Sequence, residues 1–212
     1  MAKVVKKAQV SGRERADEIM KCAEDAKYFI NKYVRIAHPT KGTIPFKTFK
    51  YQDECIDAFQ ENRKVIVNKS RQLGLSTITA AYSLWMAIFF RNREIVSIAT
   101  KLETAKLFLK KVKGMYESLP EWLVITEIES FTKTEISFKN GSRIQAVPTS
   151  ESAARGASLS LLVIDECVTG ETKITIRNKN TNEIRLVPIE DVYSKPEYHK
   201  DIKIMKIEVI SE

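Results

Sequence analysis

The fold is decided by the stretch Val65-Ile-Val-Asn-Lys-Ser-Arg-Gln-Leu-Gly-Leu-Ser-Thr77. It starts with β-branched apolar residues that are typical of a strand, passes through a polar loop, and enters the largely apolar segment Leu75–Phe90, which predicts a long helix. Backbone amides of such a loop, together with the N-terminus of the following helix, can bind phosphate oxygens. The stretch therefore predicts a phosphate-binding loop.

The loop differs from the usual phosphate-binding pattern at two positions. Gly74 fits the second glycine, but Lys69 replaces the first glycine and Leu75 replaces the usual lysine. A basic side chain must still neutralise the phosphates, and of the local candidates Lys69 and Arg71 we favour Arg71. From this segment alone, a helix that follows a strand without binding a ligand stays an open alternative.

Hydroxyl side chains follow the loop where a magnesium ligand is expected. Ser76 occupies the position of the hydroxyl that normally binds the metal, and Thr77 lies beside it. The predicted nucleotide contacts in this stretch are Ser70, Arg71, Gln72, Gly74, Leu75, Ser76 and Thr77.

A second motif, Leu161-Leu-Val-Ile-Asp165-Glu166, follows further along the chain. Its four apolar residues predict a buried strand, and the two acids stand at the C-terminal end, where open α/β sheets bind ligands. Asp165 would belong to the magnesium shell, and Glu166 would orient or deprotonate the attacking water. A strand that simply ends in two solvated acids is the plainer interpretation, but both motifs in this order are much rarer than either alone.

Two shorter features fit the same site. Tyr51-Gln52 precedes the loop, where an aromatic ring and an amide can stack on and hydrogen-bond an adenine. Arg155-Gly156 precedes Asp165, and an arginine near the γ-phosphate, from the same or a neighbouring subunit, can stabilise the transition state. Each of these residues, taken alone, is more simply a surface residue.

The order of predicted elements indicates an α/β fold with a mostly parallel sheet flanked by helices on both faces. We expect helices at Arg13–Ala37, Tyr51–Gln60, Leu75–Phe90 and Leu102–Tyr116, and strands at Val65–Asn68, Ile95–Thr100, Glu135–Phe138, Ser142–Val147 and Leu161–Ile164. Pro39, Gly42 and Pro45 predict a loop, and Asn140-Gly141 predicts a hairpin.

The pattern changes after Cys167. Three short segments alternate in hydrophobicity, with no long helix, which predicts an all-β region; they are Thr172–Arg177, Glu183–Val187 and Ile202–Ile210, with a turn at Asn178–Asn182. We therefore expect a helical region at 1–45, a nucleotide-binding domain at 46–166 and a β-rich part at 167–212.

Charge and composition narrow the class of protein. The net charge is +8, and since residues 167–212 contain eight basic and eight acidic residues, the whole excess lies before Cys167. A basic surface suits a polyanion such as nucleic acid, although an ordinary solvated surface is an equal alternative.

Three cysteines without a C-x-x-C pair, and only two histidines, argue against a structural zinc site and indicate free thiols. The longest apolar run, Leu84–Phe90, is too short to span a bilayer, so we expect a soluble intracellular protein without a membrane partner.

The segment Phe46–Glu166 resembles the ATPase domain of the large terminase subunit of tailed bacteriophages. The resemblance rests on Tyr51-Gln52, Ser70-Arg-Gln-Leu-Gly-Leu-Ser-Thr77, Ala154-Arg-Gly156 and Leu161-Leu-Val-Ile-Asp-Glu166. The family often has a deviant phosphate loop with Ser-Arg-Gln-x-Gly as its core, so Leu75 is less of a departure. The resemblance implies a P-loop NTPase-type fold, ATP and Mg²⁺ as cofactors, and a motor that pumps DNA into a preformed capsid.

The same resemblance implies partners and a place of action. These are double-stranded DNA, the portal protein and the small terminase subunit, in the cytoplasm of the infected host cell rather than in the mature virion. Arg155 is then a candidate inter-subunit arginine finger. The family's nuclease domain and its coupling motif beyond the acidic pair are not found in this sequence, so we expect negligible ATP hydrolysis by this chain alone.

From Cys167 onward the sequence resembles the first block of an intein. The resemblance rests on Cys167-Val-Thr-Gly-Glu-Thr-Lys-Ile-Thr-Ile176 and Glu183-Ile-Arg-Leu-Val-Pro-Ile-Glu-Asp-Val-Tyr193. It implies that the Cys167 thiol attacks the carbonyl of Glu166 and converts the peptide bond into a thioester. The position adds weight, because inteins tend to interrupt the most constrained motifs of their hosts.

The intein features are incomplete. The family's Thr-x-x-His motif is absent, since Pro196 stands three residues before His199, and the terminal His-Asn pair is absent as well. We therefore expect no splicing by this chain alone. It resembles the N-terminal part of a split intein, or a truncated intein, of the Hedgehog/intein-type all-β fold. Its partner would be a C-terminal intein and terminase fragment that associates by strand complementation.

Three other interpretations stay open. In the first, the region after Cys167 is a β-rich extension of a nucleic-acid-dependent P-loop ATPase, with an incidental cysteine and no splicing. In the second, the chain is a helicase-type ATPase that uses single-stranded nucleic acid, although no helicase motif follows Glu166. In the third, the chain is a non-enzymatic DNA-binding protein with a vestigial phosphate loop. Weak ATP binding together with tight, salt-sensitive DNA binding would favour this third interpretation.

Overall fold

The structure is a computed structural model. It describes residues 12–69, 72–99, 101–148, 158–165, 171, 173–177, 184–195 and 203–207. In this part of the chain no helix is both long and apolar enough to cross a membrane.

The N-terminal region holds two helices where the sequence predicts one. Helix α1 (Gly12–Glu24) and helix α2 (Ala26–Tyr33) are separated by Asp25, whose backbone is extended and whose side chain accepts a hydrogen bond from Tyr28 N at 3.0 Å. This N-cap starts a new helix. The single helix predicted over Arg13–Ala37 is therefore wrong. The apolar periodicity hides the break, because both helices bury residues in the same core.

A small hairpin follows α2. Strands β1 (Arg35–His38) and β2 (Gly42–Pro45) pair antiparallel, and Ala37 therefore lies in a strand. The turn between them includes Pro39, as predicted, but the residues on either side are paired rather than irregular.

The central elements agree with the sequence to within two residues at either end. They are α3 (Lys50–Glu61), β3 (Val65–Lys69), α4 (Leu75–Phe89), β4 (Glu94–Ala99) and α5 (Leu102–Glu117), followed by a 3-10 turn at Glu121–Leu123. Next come β5 (Ile128–Phe131), β6 (Glu135–Phe138), β7 (Arg143–Pro148) and β8 (Leu161–Asp165), of which only β5 was not predicted.

Five strands form the main sheet, in the order β5-β6-β7-β4-β8. Strand β4 runs parallel to β7 and β8, whereas β5, β6 and β7 form an antiparallel meander. A mixed α/β sheet flanked by helices is thereby confirmed.

Helices α4 and α5 cover one face of this sheet. Their buried residues join a single core with Ile95 and Ala99 of β4 and with Ile144 and Ala146 of β7. The opposite face carries Leu162 and Ile164 of β8, which are 42% and 53% exposed. On this second face Val96 of β4 is nevertheless buried, so the exposure is confined to the β8 side of the sheet.

The region after Cys167 contributes three strands and one short helix. Strands β9 (Lys173–Arg177) and β10 (Ile184–Pro188) pair antiparallel, and α6 (Ile189–Ser194) follows. Strand β11 (Lys203–Ile207) instead pairs parallel with β3, in the register Lys203↔Val65 to Ile207↔Lys69. The three predicted strands are present, and the last of them is joined to the nucleotide-binding part. The predicted turn at Asn178–Asn182 lies outside the described residues.

The hairpin turn between β6 and β7 closes the end of α4. Asn140 Nδ2 donates to Ala87 O at 2.8 Å and to Phe90 O at 3.2 Å, and Asn140 Oδ1 accepts from Ser142 N at 2.9 Å. One amide side chain thus donates to carbonyls at the helix C-terminus that lack an intrahelical donor, and it fixes the turn.

We expect Asn140→Ala to lower the free energy of unfolding by about 2 kcal/mol, because three hydrogen bonds are lost and Ala87 O loses its side-chain donor, while Phe90 O keeps the one from Ser142 Oγ. Urea unfolding followed by circular dichroism measures the change. Lys139→Ala is the matched control, because its exposed ion pair with Glu127 contributes little. Equal unfolding midpoints for the two variants would contradict this role of Asn140.

Candidate nucleotide-binding site

The described part of the loop between β3 and α4, residues 72–74, turns sharply into the helix. Gln72 and Gly74 both have left-handed backbones, with φ of 64° and 69°. Gly74 is also closely packed, since a Cβ added there would lie 2.7 Å from Gln52 Nε2. Glycine is therefore required at Gly74 both by the sign of φ and by the lack of space.

Tyr51 and Gln52 of α3 support this loop through hydrogen bonds to its backbone. The Tyr51 hydroxyl donates to Leu73 O at 3.1 Å, and Gln52 Nε2 donates to the same carbonyl at 2.9 Å. Gln52 Oε1 accepts from Phe49 N at 3.1 Å, and the side chain is 2% exposed. Both residues predicted to contact adenine thus lie at the loop, where their observed partners are backbone groups. Burial raises the pKa of Tyr51, which keeps its hydroxyl a donor.

The start of α4 presents donors along the helix axis. The amides of Thr77 and Ile78 both bond to Gly74 O, at 2.9 and 3.1 Å. The amides of Leu75 and Ser76 are then the ones that point outward at the positive end of the helix dipole. The Leu75 side chain is buried in the core, so this residue can meet a ligand only through its backbone.

Three polar side chains converge where β3 and β8 end. Ser76 Oγ donates a short hydrogen bond to Asp165 Oδ2, and Lys69 Nζ lies 3.7 Å from Asp165 Oδ1. The structure thus brings together the predicted metal ligands Ser76 and Asp165. It also places Lys69, one of the two cation candidates, beside them.

Two residues near the site were not predicted from the sequence. Phe49 is 65% exposed and stacks on Tyr51, with ring centroids 5.7 Å apart and an interplanar angle of 7°. Lys111 of α5 places its Nζ 3.5 Å from Thr77 Oγ1. An aromatic residue two positions before Tyr51 was a usable signal for Phe49, whereas only the packing of α4 against α5 reveals Lys111.

Several predicted site residues lie outside the described residues. These are Ser70, Arg71, Arg155, Glu166 and Cys167.

The donors that are present fit a magnesium nucleotide. Mg²⁺ typically keeps several waters and takes one or two protein oxygens together with substrate phosphates, so a hydroxyl and a carboxylate in contact are sufficient. Within the described residues no group of three or more His, Cys, Asp or Glu side chains could hold a metal by itself. A positive helix terminus with Lys69 and Lys111 nearby suits a polyphosphate.

Comparison with known proteins agrees with this geometry. A family model described as "Terminase large subunit, T4likevirus-type, N-terminal" matches residues 66–175, just over half of the chain. The crystal structure of the HK97 bacteriophage large terminase superimposes with a TM-score of 0.57 at 19% sequence identity, covering 87% of this chain and 37% of that one. The structural likeness supports the fold, and the chain spans well under half the length of that protein.

We expect Gly74→Ala to lower the free energy of unfolding by about 1–2 kcal/mol, since a Cβ penalises the left-handed backbone and presses on Gln52. Gly114→Ala is the control, because Gly114 lies inside α5 with nothing within 4 Å of the added Cβ, and this variant should be stabilised. Urea unfolding of both variants checks the prediction. If Gly74→Ala is as stable as the wild type, the described loop geometry is wrong.

Proposed function

Since this chain belongs to the T4-like family of phage terminase large subunits, we propose that it forms the N-terminal, ATP-binding part of a DNA-packaging motor. The observation that carries this proposal is the convergence of Ser76, Lys69 and Asp165 at the ends of two strands. The motor would act in the cytoplasm of the infected cell, with the portal protein and the small terminase subunit as partners.

In this proposal Ser76 Oγ and the Asp165 carboxylate hold the Mg²⁺ of a bound Mg²⁺–ATP, and the amides of Leu75 and Ser76 hold phosphate oxygens. The bound nucleotide supplies the phosphoanhydride whose hydrolysis drives translocation. The hydrogen bond between Ser76 Oγ and Asp165 Oδ2 supports this assignment, because two oxygens in contact are close enough to bind one small ion.

The cation that replaces the usual loop lysine is best assigned to Lys69. Its ammonium group already lies beside Asp165, at the mouth of the loop. Arg71, which the sequence analysis favoured for this role, stays the alternative. Glu166 follows Asp165 directly and would orient or deprotonate the attacking water, while Arg155 would act as the arginine finger.

The adenine would stack on the exposed Phe49 ring, which already lies flat on Tyr51. Gln52, whose amide supports Leu73 O, would then set the position of the loop relative to this ring. Double-stranded DNA would be bound by the basic surface of the region before Cys167, which carries the whole net charge of +8.

The second part of the proposal concerns Cys167, which would join this chain to its C-terminal terminase fragment by protein trans-splicing. In the first step the Cys167 sulfur bonds to the Glu166 carbonyl carbon. The peptide C–N bond breaks, and the thiol proton ends on the new α-amino group, so the step is an isomerisation. Burial raises the pKa of Cys22 and Cys55 to about 12 and 11, which leaves Cys167 as the cysteine suited to this role.

A second candidate has its own support. The family match continues across Cys167 to residue 175, and β11 pairs with β3 beside the phosphate loop. Both observations favour a β-rich extension that stays attached to a nucleic-acid-dependent ATPase without splicing.

We expect Ser76→Ala and Asp165→Asn to weaken the Mg²⁺-dependent binding of a fluorescent ATP analogue at least tenfold, a loss of about 1.4 kcal/mol. Binding is the appropriate readout because this chain alone should hydrolyse ATP negligibly. Ser137→Ala on β6, remote from the loop, is the control and should bind as the wild type does. Unchanged, Mg²⁺-dependent affinity in Ser76→Ala would remove the metal-site assignment.

We expect Cys167→Ala to abolish ligation when the chain is produced together with the downstream terminase fragment of the same phage. Cys55→Ala should still ligate. Mass spectrometry of tryptic peptides reports the junction, because trypsin cleaves after Arg155 and the next peptide begins at Gly156.

The junction peptide separates the two candidate functions. If Glu166 is followed by residues other than Cys167-Val-Thr, splicing occurs. If only the intact Gly156–Lys173 peptide is found in infected cells, the permanent β-rich extension is correct. If Cys167→Ala still ligates, Cys167 is not the nucleophile of the first step.

A further inference from the structure

The side chain of Lys111 on α5 reaches the first turn of α4. Its Nζ lies 3.5 Å from Thr77 Oγ1, which is the one acceptor that the described residues place within hydrogen-bond distance of this ammonium group. Other lysines of α5 pair with carboxylates, Lys106 at a distance of 2.6 Å and Lys113 at a distance of 3.3 Å. An ammonium group has three N–H donors, so Lys111 retains donors for a ligand.

A cation is unfavourable at this end of a helix. Thr77 is close to the start of α4, where the partial charge of the helix dipole is positive. The outward amides of Leu75 and Ser76 therefore repel the Lys111 ammonium group. In the part of the chain that the structure describes, no carboxylate forms an ion pair with Lys111 that would offset this repulsion. A bound anion reverses the situation, because it attracts the amides and the ammonium group together.

Helix packing fixes the position from which Lys111 extends. Ile78 follows Thr77, Val112 follows Lys111, and both are fully buried in one hydrophobic core. Lys110 is also exposed, but it lies about 100° away around the helix from Lys111. Of these two adjacent lysines, Lys111 is the one directed at the start of α4.

Lys111 approaches α4 from a different side than Asp165 and Lys69 do. Ser76 and Thr77 are adjacent in α4, so their side chains point about 100° apart around the helix. The first contacts Asp165 and the second contacts Lys111. The charge of Lys69 is partly offset by Asp165, whose Oδ1 lies 3.7 Å away. A magnesium-bound triphosphate keeps part of its negative charge, and Lys111 lies where it can neutralise that remainder from the side of α5.

We propose that Lys111 is a phosphate-binding residue of the nucleotide site, and that its ammonium group donates directly to a non-bridging phosphate oxygen. The inference rests on the proposed function, in which the start of α4 binds Mg²⁺–ATP. The contact needs no metal, which distinguishes Lys111 from Ser76 and Asp165. Helix α5 thereby becomes part of a site that the sequence motifs confine to the phosphate loop and the acidic strand.

The test uses the full chain and the fluorescent analogue N-methylanthraniloyl-ATP, once with Mg²⁺ and once with EDTA in its place. Lys111→Met should weaken binding about tenfold under both conditions, because a charge-assisted hydrogen bond to phosphate is lost. Ser76→Ala should weaken binding only when Mg²⁺ is present. Lys110→Met is the matched control, since it removes the same charge from the adjacent position and should bind as the wild type does.

Two further measurements separate a phosphate contact from an indirect effect. Inorganic triphosphate, which has no base or ribose, should compete with the analogue about tenfold less effectively on Lys111→Met than on the wild type. Urea unfolding should give the same midpoint for these two proteins, because the Lys111 side chain is exposed. A loss of affinity that accompanies a lower midpoint overturns the assignment, because altered helix packing then explains it.

The outcomes also separate this assignment from the proposed function. If the wild-type chain binds neither the ATP analogue nor inorganic triphosphate, both are wrong. If the wild type binds in a Mg²⁺-dependent manner and Lys111→Met binds as tightly as Lys110→Met, the proposed function stands and Lys111 is not a phosphate ligand. A loss that is seen with the analogue but not with inorganic triphosphate overturns the assignment as well, because Lys111 then acts on the nucleoside part.

Discussion

The carboxylate of Asp165 is the group on which the arrangement of the site depends. It is the contact between the end of β8 and the end of β3, through the Ser76 hydroxyl and the Lys69 ammonium group. Strands β3 and β8 share no hydrogen-bonded ladder, and these side-chain contacts join the phosphate-loop side of the site to the acidic strand. A site built in this way responds to whatever binds at Asp165, because a cation there competes directly with the contacts that hold the two strands together.

The phosphate loop itself is held by a different set of contacts. The left-handed backbone of Gln72 costs free energy, whereas glycine adopts the same conformation at Gly74 without a steric penalty. Tyr51 and Gln52 offset that cost by donating to the one carbonyl between them, Leu73 O. Because Gln52 is almost fully buried, its amide cannot be released without leaving a polar group unpaired in the core. The described segment around Leu73 is therefore held in place by the protein's own side chains.

The sequence predicts those parts of the fold whose patterns are local. Helix α4 and strand β8 are continuous apolar runs, and the Asn140-Gly141 hairpin follows from turn chemistry, so all three are found where expected. Patterns fail where tertiary contacts decide. The break at Asp25 leaves the apolar periodicity intact, and the pairing of β11 with β3 joins residues that no spacing rule connects. In the site, Ser76 and Asp165 come together as their positions in the motifs suggest, whereas the place of Lys111 depends on the packing of α4 against α5.

The exposed face of β8 and the paired edge of β3 have one physical origin. Parallel strands occur almost only in sheets with both faces covered. Here α4 and α5 cover the first face, whereas Leu162 and Ile164 remain exposed on the second. Strand β11 protects β3 by pairing with it, whether residues 167–212 are an intein fragment or a lasting extension. That pairing gives the strand that leads into the phosphate loop a hydrogen-bonded neighbour.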